Sequence, residues 1–335
     1  MKRRVEACDF AFFISVAAPH APPQKLKTMC DWGNWVFPFD DMFDEGDLKS
    51  DQEGSQKVID SLMNAMIDRP FSGPKLPVVE AHDDVFQRLA EASPRGVSQR
   101  FARAMEDYAD GVARHVDHFS LDRVPEVQEM LETRQLSAGV TPLYHLVEYA
   151  HGLELPDEVF EDPTIQTLER LGVDFVANDI LSYRKEENDA CPFSMVAACR
   201  MTGQSPQQAF NTVGGLLEER YQDWNDSIRR LPSWGPDIDD QVRQYIEGIQ
   251  NVVQANISWS FRSHRYFGDQ ASKVRQTSKI DVKVSPAYLQ AKQKRSRKLV
   301  TVVFSSADVL APLIKFFFAF VAIFPLLLAI KSSHS

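Results

Sequence analysis

Two clusters of oxygen-bearing side chains, far apart along the chain, constrain most strongly how this sequence can fold. The members of the clusters are Asp40, Asp41 and Asp44 in the first, and Asn178, Ser182 and Glu186 in the second. On helices, the three aspartates project to one side, and a spacing of four residues aligns the second set along one face. Each set offers oxygen ligands to a hard cation such as Mg2+ but leaves positions that substrate phosphates normally fill. The sequence therefore predicts that both sets face one cavity and that its ligand is a diphosphate.

Apolar residues recur at intervals of three and four along most of the chain, which is the spacing of helices that bury one face. Two clear stripes run through residues 101–119 and 242–256. The dipeptides Ser205-Pro206 and Pro236-Asp237 have the form of helix starts, with proline near the first turn. Because strand-like alternation is almost absent, we expect an all-α fold, and a chain of 335 residues can bury a large core.

Net charge and cysteine spacing narrow the possible partners and the compartment. A net charge of −10 argues against nucleic acid as a partner, because binding to phosphate backbones needs a concentrated basic face. The four cysteines, Cys8, Cys30, Cys191 and Cys199, show neither paired spacing nor a dense framework, so we expect buried thiols in a reducing compartment. The amino terminus is a poor signal peptide because charged residues interrupt its short apolar run.

The arrangement of these motifs resembles that of the class I terpene synthases, in particular the fungal sesquiterpene synthases. As in that family, an aromatic stretch, residues 35–39, precedes the aspartates, and the second cluster matches the pattern N-D-x-x-S-x-x-K-E at every fixed position. Arg265-Tyr266 resembles the family's arginine and tyrosine near the end of the last long helix, and Arg134 resembles its arginine before a helix break. The resemblance covers roughly residues 5–290 and implies an all-α class I terpenoid synthase bundle around a central active-site cavity.

The resemblance also implies which residues bind the metal ions. Three Mg2+ ions are implied, of which two are held by the aspartates of the first cluster, with Asp40 as the leading direct ligand. The third ion is assigned to Asn178, Ser182 and Glu186, which together supply an amide, a hydroxyl and a carboxylate.

Other residues are assigned to the two ends of a prenyl diphosphate substrate. The side chains implied to bind the diphosphate are Arg134, Lys185, Arg265 and Tyr266. Guanidinium groups match phosphate oxygens in bidentate fashion, whereas lysine serves as a point charge. The aromatic candidates for stabilising a carbocation are Trp35, Phe39, Phe175 and Trp259. After Arg134, the segment from Ser137 to Gly139 falls where the family has its helix break.

The implied activity is that of a Mg2+-dependent sesquiterpene cyclase, a lyase that ionises farnesyl diphosphate to a carbocation, which cyclises as diphosphate is released. One alternative is a trans-prenyltransferase of the same fold, although such enzymes usually carry a second aspartate-rich motif in place of Asn178, Ser182 and Glu186. Another is a non-catalytic, membrane-tethered relative. Its support is that Asp40 lies nearer the start than in typical relatives, which we interpret as a shortened amino-terminal segment.

The carboxy-terminal residues form a separate region in this interpretation. We expect a catalytic domain in residues 1–290 and a tail in residues 291–335. The tail begins with a basic stretch, residues 292–298, and continues with an apolar stretch, residues 309–330, that only Lys315 interrupts. A basic flank before a terminal apolar segment favours a transmembrane anchor with the domain on the cytoplasmic face. The alternative is an extension that folds against the domain or does not fold.

Overall fold

The computed structural model describes residues 6–67, 71–121, 123–188, 193–284, 286–290 and 299–303, and these are predominantly helical. The helices are α1 (Phe10–Ala17), α2 (Pro23–Asp44), α3 (Gln52–Ile67), α4 (Pro77–Glu91), α5 (Arg95–Ser120), α6 (Val127–Ser137), α7 (Val140–His151), α8 (Asp157–Glu161), α9 (Pro163–Val176), α10 (Tyr183–Asn188), α11 (Met195–Met201), α12 (Pro206–Arg229), α13 (Pro236–Ser260), α14 (Ala271–Thr277) and α15 (Ala287–Gln290). A 3-10 helix (Gly268–Gln270) precedes α14, and two strands, β1 (Lys279–Lys283) and β2 (Leu299–Val303), follow it. The predicted all-α fold is confirmed.

Local capping explains where the later helices begin. The Ser205 hydroxyl accepts the backbone N–H of Gln208, and the Gln208 side chain accepts the backbone N–H of Ser205 in return. Proline occupies the first turn of both α12 and α13. Asp162 caps α9 by accepting the N–H two residues further on, at 2.7 Å. The predicted starts of α12 and α13 are therefore confirmed.

The two predicted apolar stripes form much of the core. The stripe on α5 buries Phe101, Met105, Tyr108, Val112 and Val116, and that on α13 buries Val242, Tyr245, Ile246, Ile249, Val252 and Val253. Helix α5 packs against α3, α6 and α7, while α13 packs against α1, α7 and α9. Helix α7 thus contacts both stripes, and nearly all of its residues are buried, as a central helix requires.

Helix α6 approaches α5 so closely that a side chain at Gly111 of α5 would collide with the end of α6. A Cβ at that position would lie 2.4 Å from the backbone nitrogen of Ser137. The chain then breaks between α6 and α7 at Ala138 and Gly139, where Gly139 takes a left-handed φ of 64° that glycine adopts without strain. The predicted helix break after Arg134 is confirmed.

A two-stranded antiparallel sheet follows the last long helix and adds to the predicted helical pattern. β1 pairs with β2 in register from Lys279 opposite Val303. β1 alternates between exposed and buried residues and buries Ile280 and Val282. An alternation of five residues is too short to stand out in a helical sequence. β2 belongs to the region that the sequence assigns to the tail, and it also packs against α12.

Three sequence features named above lie outside the described residues. Two belong to the tail, the basic stretch 292–298 and the apolar stretch 309–330, and the third is Cys191. Within the residues that the structure describes, no helix is long and apolar enough to span a bilayer. Cys8 and Cys199 are buried thiols, as predicted, and Cys30 is a partly buried one.

Candidate active site

A cavity lies among the helices that carry the two clusters. The space inside it that is open to the centre of a water molecule is about 120 Å3. The predicted site residues that line it are Asp40, Asp44, Arg134, Ser182, Lys185, Glu186, Arg265 and Tyr266. The structure therefore brings members of both clusters to one cavity, and their individual roles remain predictions.

The first cluster lies at the carboxyl end of α2, where backbone carbonyls already create a partial negative charge. Asp40 accepts a hydrogen bond from the Tyr108 hydroxyl at 3.1 Å. Burial, followed by the charge of Asp44, raises the pKa of Asp40 to about 8. Carboxylates concentrated in this position favour a bound cation, which would lower that pKa again.

Asp41 takes a different direction from its neighbours. Arg265 follows α13, lines the cavity beside Tyr266, and donates to both carboxylate oxygens of Asp41 at 2.7 and 3.3 Å. Such a bidentate pair fixes both side chains. Asp41 is not among the residues that line the cavity. In this structure the predicted metal ligand Asp41 instead holds Arg265 at the cavity wall.

The prediction that the second cluster forms one helical ridge is wrong. The chain is unwound between α9 and α10, and Asp179 there adopts a left-handed φ of 61°. The Asn178 side chain donates to the carbonyl of Phe175 at 2.7 Å and accepts the N–H of the residue two positions on at 3.0 Å. Because both hydrogen bonds go to the backbone at the end of α9, Asn178 does not line the cavity.

Ser182 and Glu186, by contrast, both line the cavity at the start of α10. Burial, followed by the charge of Asp179, raises the pKa of Glu186 well above its ordinary value. One carboxylate oxygen of Glu186, Oε2, is buried without a hydrogen-bond partner. Because buried polar atoms are normally satisfied, this oxygen at a cavity wall is suited to bind a cation.

The oxygen donors around the cavity fit a hard divalent cation. Asp40, Asp44 and Glu186 supply carboxylates and Ser182 supplies a hydroxyl, which are ligand types that Mg2+ takes. In the described part of the chain, no three His, Cys, Asp or Glu side chains converge closely enough to hold an ion by themselves. The donors come from two separate elements, so water or the oxygens of a ligand must complete the coordination shell of any ion bound there.

The predicted diphosphate-binding cations are each paired with a carboxylate. Nη2 of Arg134 donates to Oδ1 of Asp179 at 2.7 Å, and Lys185 donates to Glu45. Arg265 is paired in the same way with the first cluster. The Nε of Arg134 is buried without a hydrogen-bond partner. The cavity wall thus holds a set of charged donors that phosphate oxygens can recruit.

The four aromatic residues predicted to contact the substrate lie elsewhere. Trp35, Phe39, Phe175 and Trp259 are buried in the core and are absent from the cavity wall. The phenylalanine, tryptophan and tyrosine rings that do line it are those of Phe13, Trp32, Phe37, Tyr108, Phe193 and Tyr266. Helical spacing decides which residues of α2 face the cavity, because residues four apart lie on one face, and counting back in fours from Asp44 reaches Asp40, Val36 and Trp32. That count needs only the sequence and would have found Trp32.

His115 is a cavity residue that sequence reasoning missed. Its Nδ1 lies 3.2 Å from Oδ1 of Asp44, and its ring stacks on Phe193 with a centroid separation of 3.9 Å. Burial lowers the pKa of His115 to about 4, against the opposing charge of Asp44. No spacing of histidines signals this position, since it depends on how α5 crosses α2.

Helix α1 covers one side of the cavity. Phe13 and Ile14 line it, and α1 packs against both α2 and α13. The indole N–H of Trp259 on α13 donates to the carbonyl of Cys8 at 2.6 Å, just before α1 begins. The residues ahead of the first cluster therefore contribute directly to the enclosure.

Comparison with known proteins decides the family. The family model described as terpene synthase family 2, C-terminal metal binding, matches residues 31–223. This span is more than half of the 335 residues and contains both clusters. The chain belongs to this family.

This terpene synthase has relatives among fungal sesquiterpene cyclases. It is 33% identical over 288 residues to silphinene synthase peniA of Penicillium patulum, and the matched region covers 83% of this chain and 77% of that protein. It is 31% identical over 285 residues to (+)-eremophilene synthase of Gibberella fujikuroi, covering 82% and 79% of the two chains.

Solved structures support the fold. The linalool/nerolidol synthase of Streptomyces clavuligerus matches with a TM-score of 0.70 and 20% identity over 78% of this chain and 89% of that one. An α-eudesmol synthase matches with a TM-score of 0.66 and 22% identity over 77% and 86%. The fold is thus the all-α class I terpenoid synthase bundle. With the family match, the protein is a fungal-type class I terpene synthase, a lyase that depends on a divalent metal.

Proposed function

We propose that this terpene synthase is a Mg2+-dependent sesquiterpene cyclase that ionises farnesyl diphosphate, cyclises the carbocation and releases diphosphate. The observation that carries the proposal is a single cavity with acidic oxygens and paired cations along part of its wall and aromatic and aliphatic side chains along the rest. The names of the sesquiterpene-forming relatives support a substrate with the farnesyl chain. We assign catalysis to the domain predicted in residues 1–290.

The proposed metal ligands are the oxygens that reach the cavity. Asp40 and Asp44 would hold ions on one side, while Ser182 and Glu186 would hold one on the other, within a total of three. When bound, Mg2+ neutralises the diphosphate and stabilises it as a leaving group. The unpartnered Oε2 of Glu186 supports this assignment. Asp41 and Asn178 join the set only if their present hydrogen bonds are exchanged.

The cationic side chains bind the diphosphate by exchanging partners. Arg134, Lys185 and Arg265 each leave or share a carboxylate when phosphate oxygens enter, while Tyr266 donates one hydrogen bond. Ion pairs already hold these donors at the wall, so the side chains change partners without moving far. Donors placed in advance in this way stabilise the charge that develops on the leaving group. No protein nucleophile is required for this ionisation.

The apolar wall controls the fate of the carbocation. The rings of Trp32, Phe37 and Phe193 line the cavity, and aromatic rings attract positive charge without forming bonds to it. The same rings exclude water, which would otherwise capture the cation early. The shape of this wall then decides which carbon atoms meet during cyclisation.

A diphosphate-release assay tests the proposal. Purified full-length protein is incubated with geranyl, farnesyl and geranylgeranyl diphosphates, with Mg2+ or with a chelator. We expect Mg2+-dependent release that is fastest with farnesyl diphosphate. Asp40→Asn should abolish release, whereas Asp47→Asn, at an exposed aspartate beyond α2, should not. Release in the chelator, or full activity of Asp40→Asn, contradicts the proposed mechanism.

A further inference from the structure

The short helix α10, which carries Lys185 and Glu186, depends on other elements for its position. It has six residues, too few to be stable by itself. Ser182 and Glu186 lie along the cavity, whereas Tyr183 and Glu187, also four residues apart, are buried on another face of the helix. What contacts Tyr183 and Glu187 therefore sets how α10 presents its cavity side chains.

Those contacts come from the segment after the last long helix. The Tyr183 hydroxyl lies 2.7 Å from the Tyr288 hydroxyl and donates to Glu187 at 3.2 Å. The other Glu187 oxygen accepts the backbone N–H of Lys283 in β1 at 2.8 Å, and the Lys283 ammonium donates to the Glu187 carbonyl at 3.0 Å. Helix α10 is thus connected to β1 and α15 through both of its buried polar side chains.

Arg200 on α11 completes the network from a third side. Its guanidinium donates to the Tyr183 hydroxyl at 3.3 Å, and to the backbone carbonyls of Lys283 at 3.1 Å and Val284 at 2.6 Å. The Tyr183 oxygen can therefore accept from Arg200 and Tyr288 while its single proton goes to Glu187, which satisfies all of its hydrogen-bonding capacity. β1 itself is held by β2, whose Val302 is buried opposite Ile280.

These contacts act where water does not weaken them. Tyr183 is 1% exposed, and Glu187 and Arg200 are each 3% exposed. A buried polar network is costly to break because each lost partner leaves a desolvated group unsatisfied. Since Ser182 precedes Tyr183 and Glu186 precedes Glu187, any movement of α10 that breaks the network also displaces two proposed metal ligands.

We infer that Tyr183, Glu187 and Arg200 are positioning residues for metal and diphosphate binding, and that Lys283 and Tyr288 form a carboxy-terminal brace for α10. The inference rests on the proposed function. It gives the residues after α13 a part in the active site, although none of the brace residues lines the cavity. The brace fixes the orientation and position of α10. Its loss therefore weakens metal binding while the overall fold is kept.

The test compares two tyrosines with matched chemistry. Tyr183→Phe removes the hydroxyl at the centre of the network. Tyr245→Phe is the control, because the Tyr245 hydroxyl is equally buried and also donates to a carboxylate, that of Glu169, at 2.5 Å. That hydrogen bond joins α13 to α9 and involves no residue of α10. Binding of inorganic diphosphate to the full-length protein is measured by calorimetry over a series of Mg2+ concentrations, alongside thermal melting and steady-state kinetics.

We expect both variants to melt at a lower temperature than the wild type. Only Tyr183→Phe should raise the Mg2+ concentration needed for half-maximal diphosphate binding, by about 10-fold to 100-fold, the range seen when a residue that orients a metal ligand is lost. Its kcat/KM should fall in parallel, while Tyr245→Phe keeps the wild-type value. Tyr288→Phe removes only the hydroxyl that pairs with Tyr183, so it should raise the Mg2+ concentration for half-maximal binding by a smaller factor.

The outcomes separate the brace from the proposed function. If the wild type binds diphosphate with Mg2+ but Tyr183→Phe shows the same Mg2+ dependence as Tyr245→Phe, the network only stabilises the fold and the brace is refuted. If Tyr183→Phe does not fold, Tyr288→Phe decides by the same criterion. If the wild type neither binds diphosphate with Mg2+ nor turns over any prenyl diphosphate, the proposed function fails and the brace fails with it.

Discussion

Replacing Gly111 with alanine should push α6 away from α5 and weaken both folding and catalysis. The added Cβ would lie 2.4 Å from the backbone nitrogen of Ser137 and 2.7 Å from two atoms of Leu136. Since non-bonded carbon atoms prefer separations of about 3.5–4.0 Å, the end of α6 would have to move by roughly 1 Å. Most of these atoms belong to the backbone, so no flexible side chain can yield instead.

The collision should outweigh the better helix propensity of alanine. Overpacking of a filled core typically costs about 1–3 kcal/mol, while alanine is favoured over glycine inside a helix by about 1 kcal/mol. Because backbone atoms obstruct the added Cβ, we expect a cost in the upper part of that range, about 2–3 kcal/mol, and hence a net loss of about 1–2 kcal/mol in the free energy of unfolding. Arg134 lies three residues before Ser137, so its guanidinium moves with α6. A misplacement of about 1 Å in an active site can lower the rate about 100-fold.

Gly215 provides a matched control for this substitution. It lies inside α12, and a Cβ there would meet no atom within 4 Å other than those of its chain neighbours and of the backbone of its own helix. Gly215→Ala should therefore raise the free energy of unfolding by about 0.5–1 kcal/mol and leave kcat/KM unchanged. Denaturant unfolding and steady-state kinetics with farnesyl diphosphate measure both effects. A Gly111→Ala variant that is as stable as Gly215→Ala would show that α6 is not displaced. One that is destabilised yet keeps wild-type kcat/KM would show that the displacement does not reach the active site.

Three further changes test the site and the core. Glu186→Gln keeps the shape of the side chain but removes its charge, so Mg2+-dependent turnover should fall by at least about 100-fold. His115→Phe keeps a ring to stack on Phe193 but loses the contact with Asp44, so half-maximal turnover should need about 10-fold more Mg2+. His82 is buried with both ring nitrogens unpartnered, and burial lowers its pKa from 6.5 to about 3. Its folded form is therefore neutral, and as the pH falls from 6.5 towards 3 the unfolded chain takes up a proton that the folded chain does not, at a cost of up to about 1.4 kcal/mol per pH unit. His82→Leu should remove that part of the acid sensitivity, as measured by denaturant unfolding over this pH range.

Each of these three expectations has a contrary result. Wild-type turnover by Glu186→Gln would show that its unpartnered oxygen does not bind metal. An unchanged Mg2+ requirement in His115→Phe would mean that the imidazole does not orient Asp44. Equal slopes of unfolding free energy against pH for the wild type and His82→Leu would show that His82 is not the buried neutral group.

Much of the fold could be predicted because its signals are local. The stripes on α5 and α13 and the capped start of α12 each depend on a few neighbouring residues, whereas the break at Gly139 was expected from the family resemblance. The meeting of the two clusters in one cavity also followed from sequence, since each needs a partner to complete an ion's ligands. β1 was missed because five alternating residues carry little signal until β2 pairs with them.

The site details that sequence missed depend on tertiary contacts. Asn178 looks like a metal ligand by spacing, but its amide satisfies backbone groups where α9 ends. Asp41 has the same chemistry as Asp40, but its carboxylate binds Arg265, which lies 224 positions later in the sequence. His115 reaches Asp44 only because α5 and α2 cross there. Trp32 is the exception, since helical spacing from Asp40 already indicates its face.

The activity proposed for this cavity is the Mg2+-dependent conversion of farnesyl diphosphate to a cyclic product. The most direct measurement is gas chromatography with mass spectrometry of the extract after the full-length protein is incubated with farnesyl diphosphate, with and without Mg2+. We expect a cyclic sesquiterpene hydrocarbon or alcohol that appears only with Mg2+. A longer acyclic prenyl diphosphate, formed when isopentenyl diphosphate is added, would identify a prenyltransferase instead. No product from folded protein, with geranyl and geranylgeranyl diphosphates failing as well, would contradict the account.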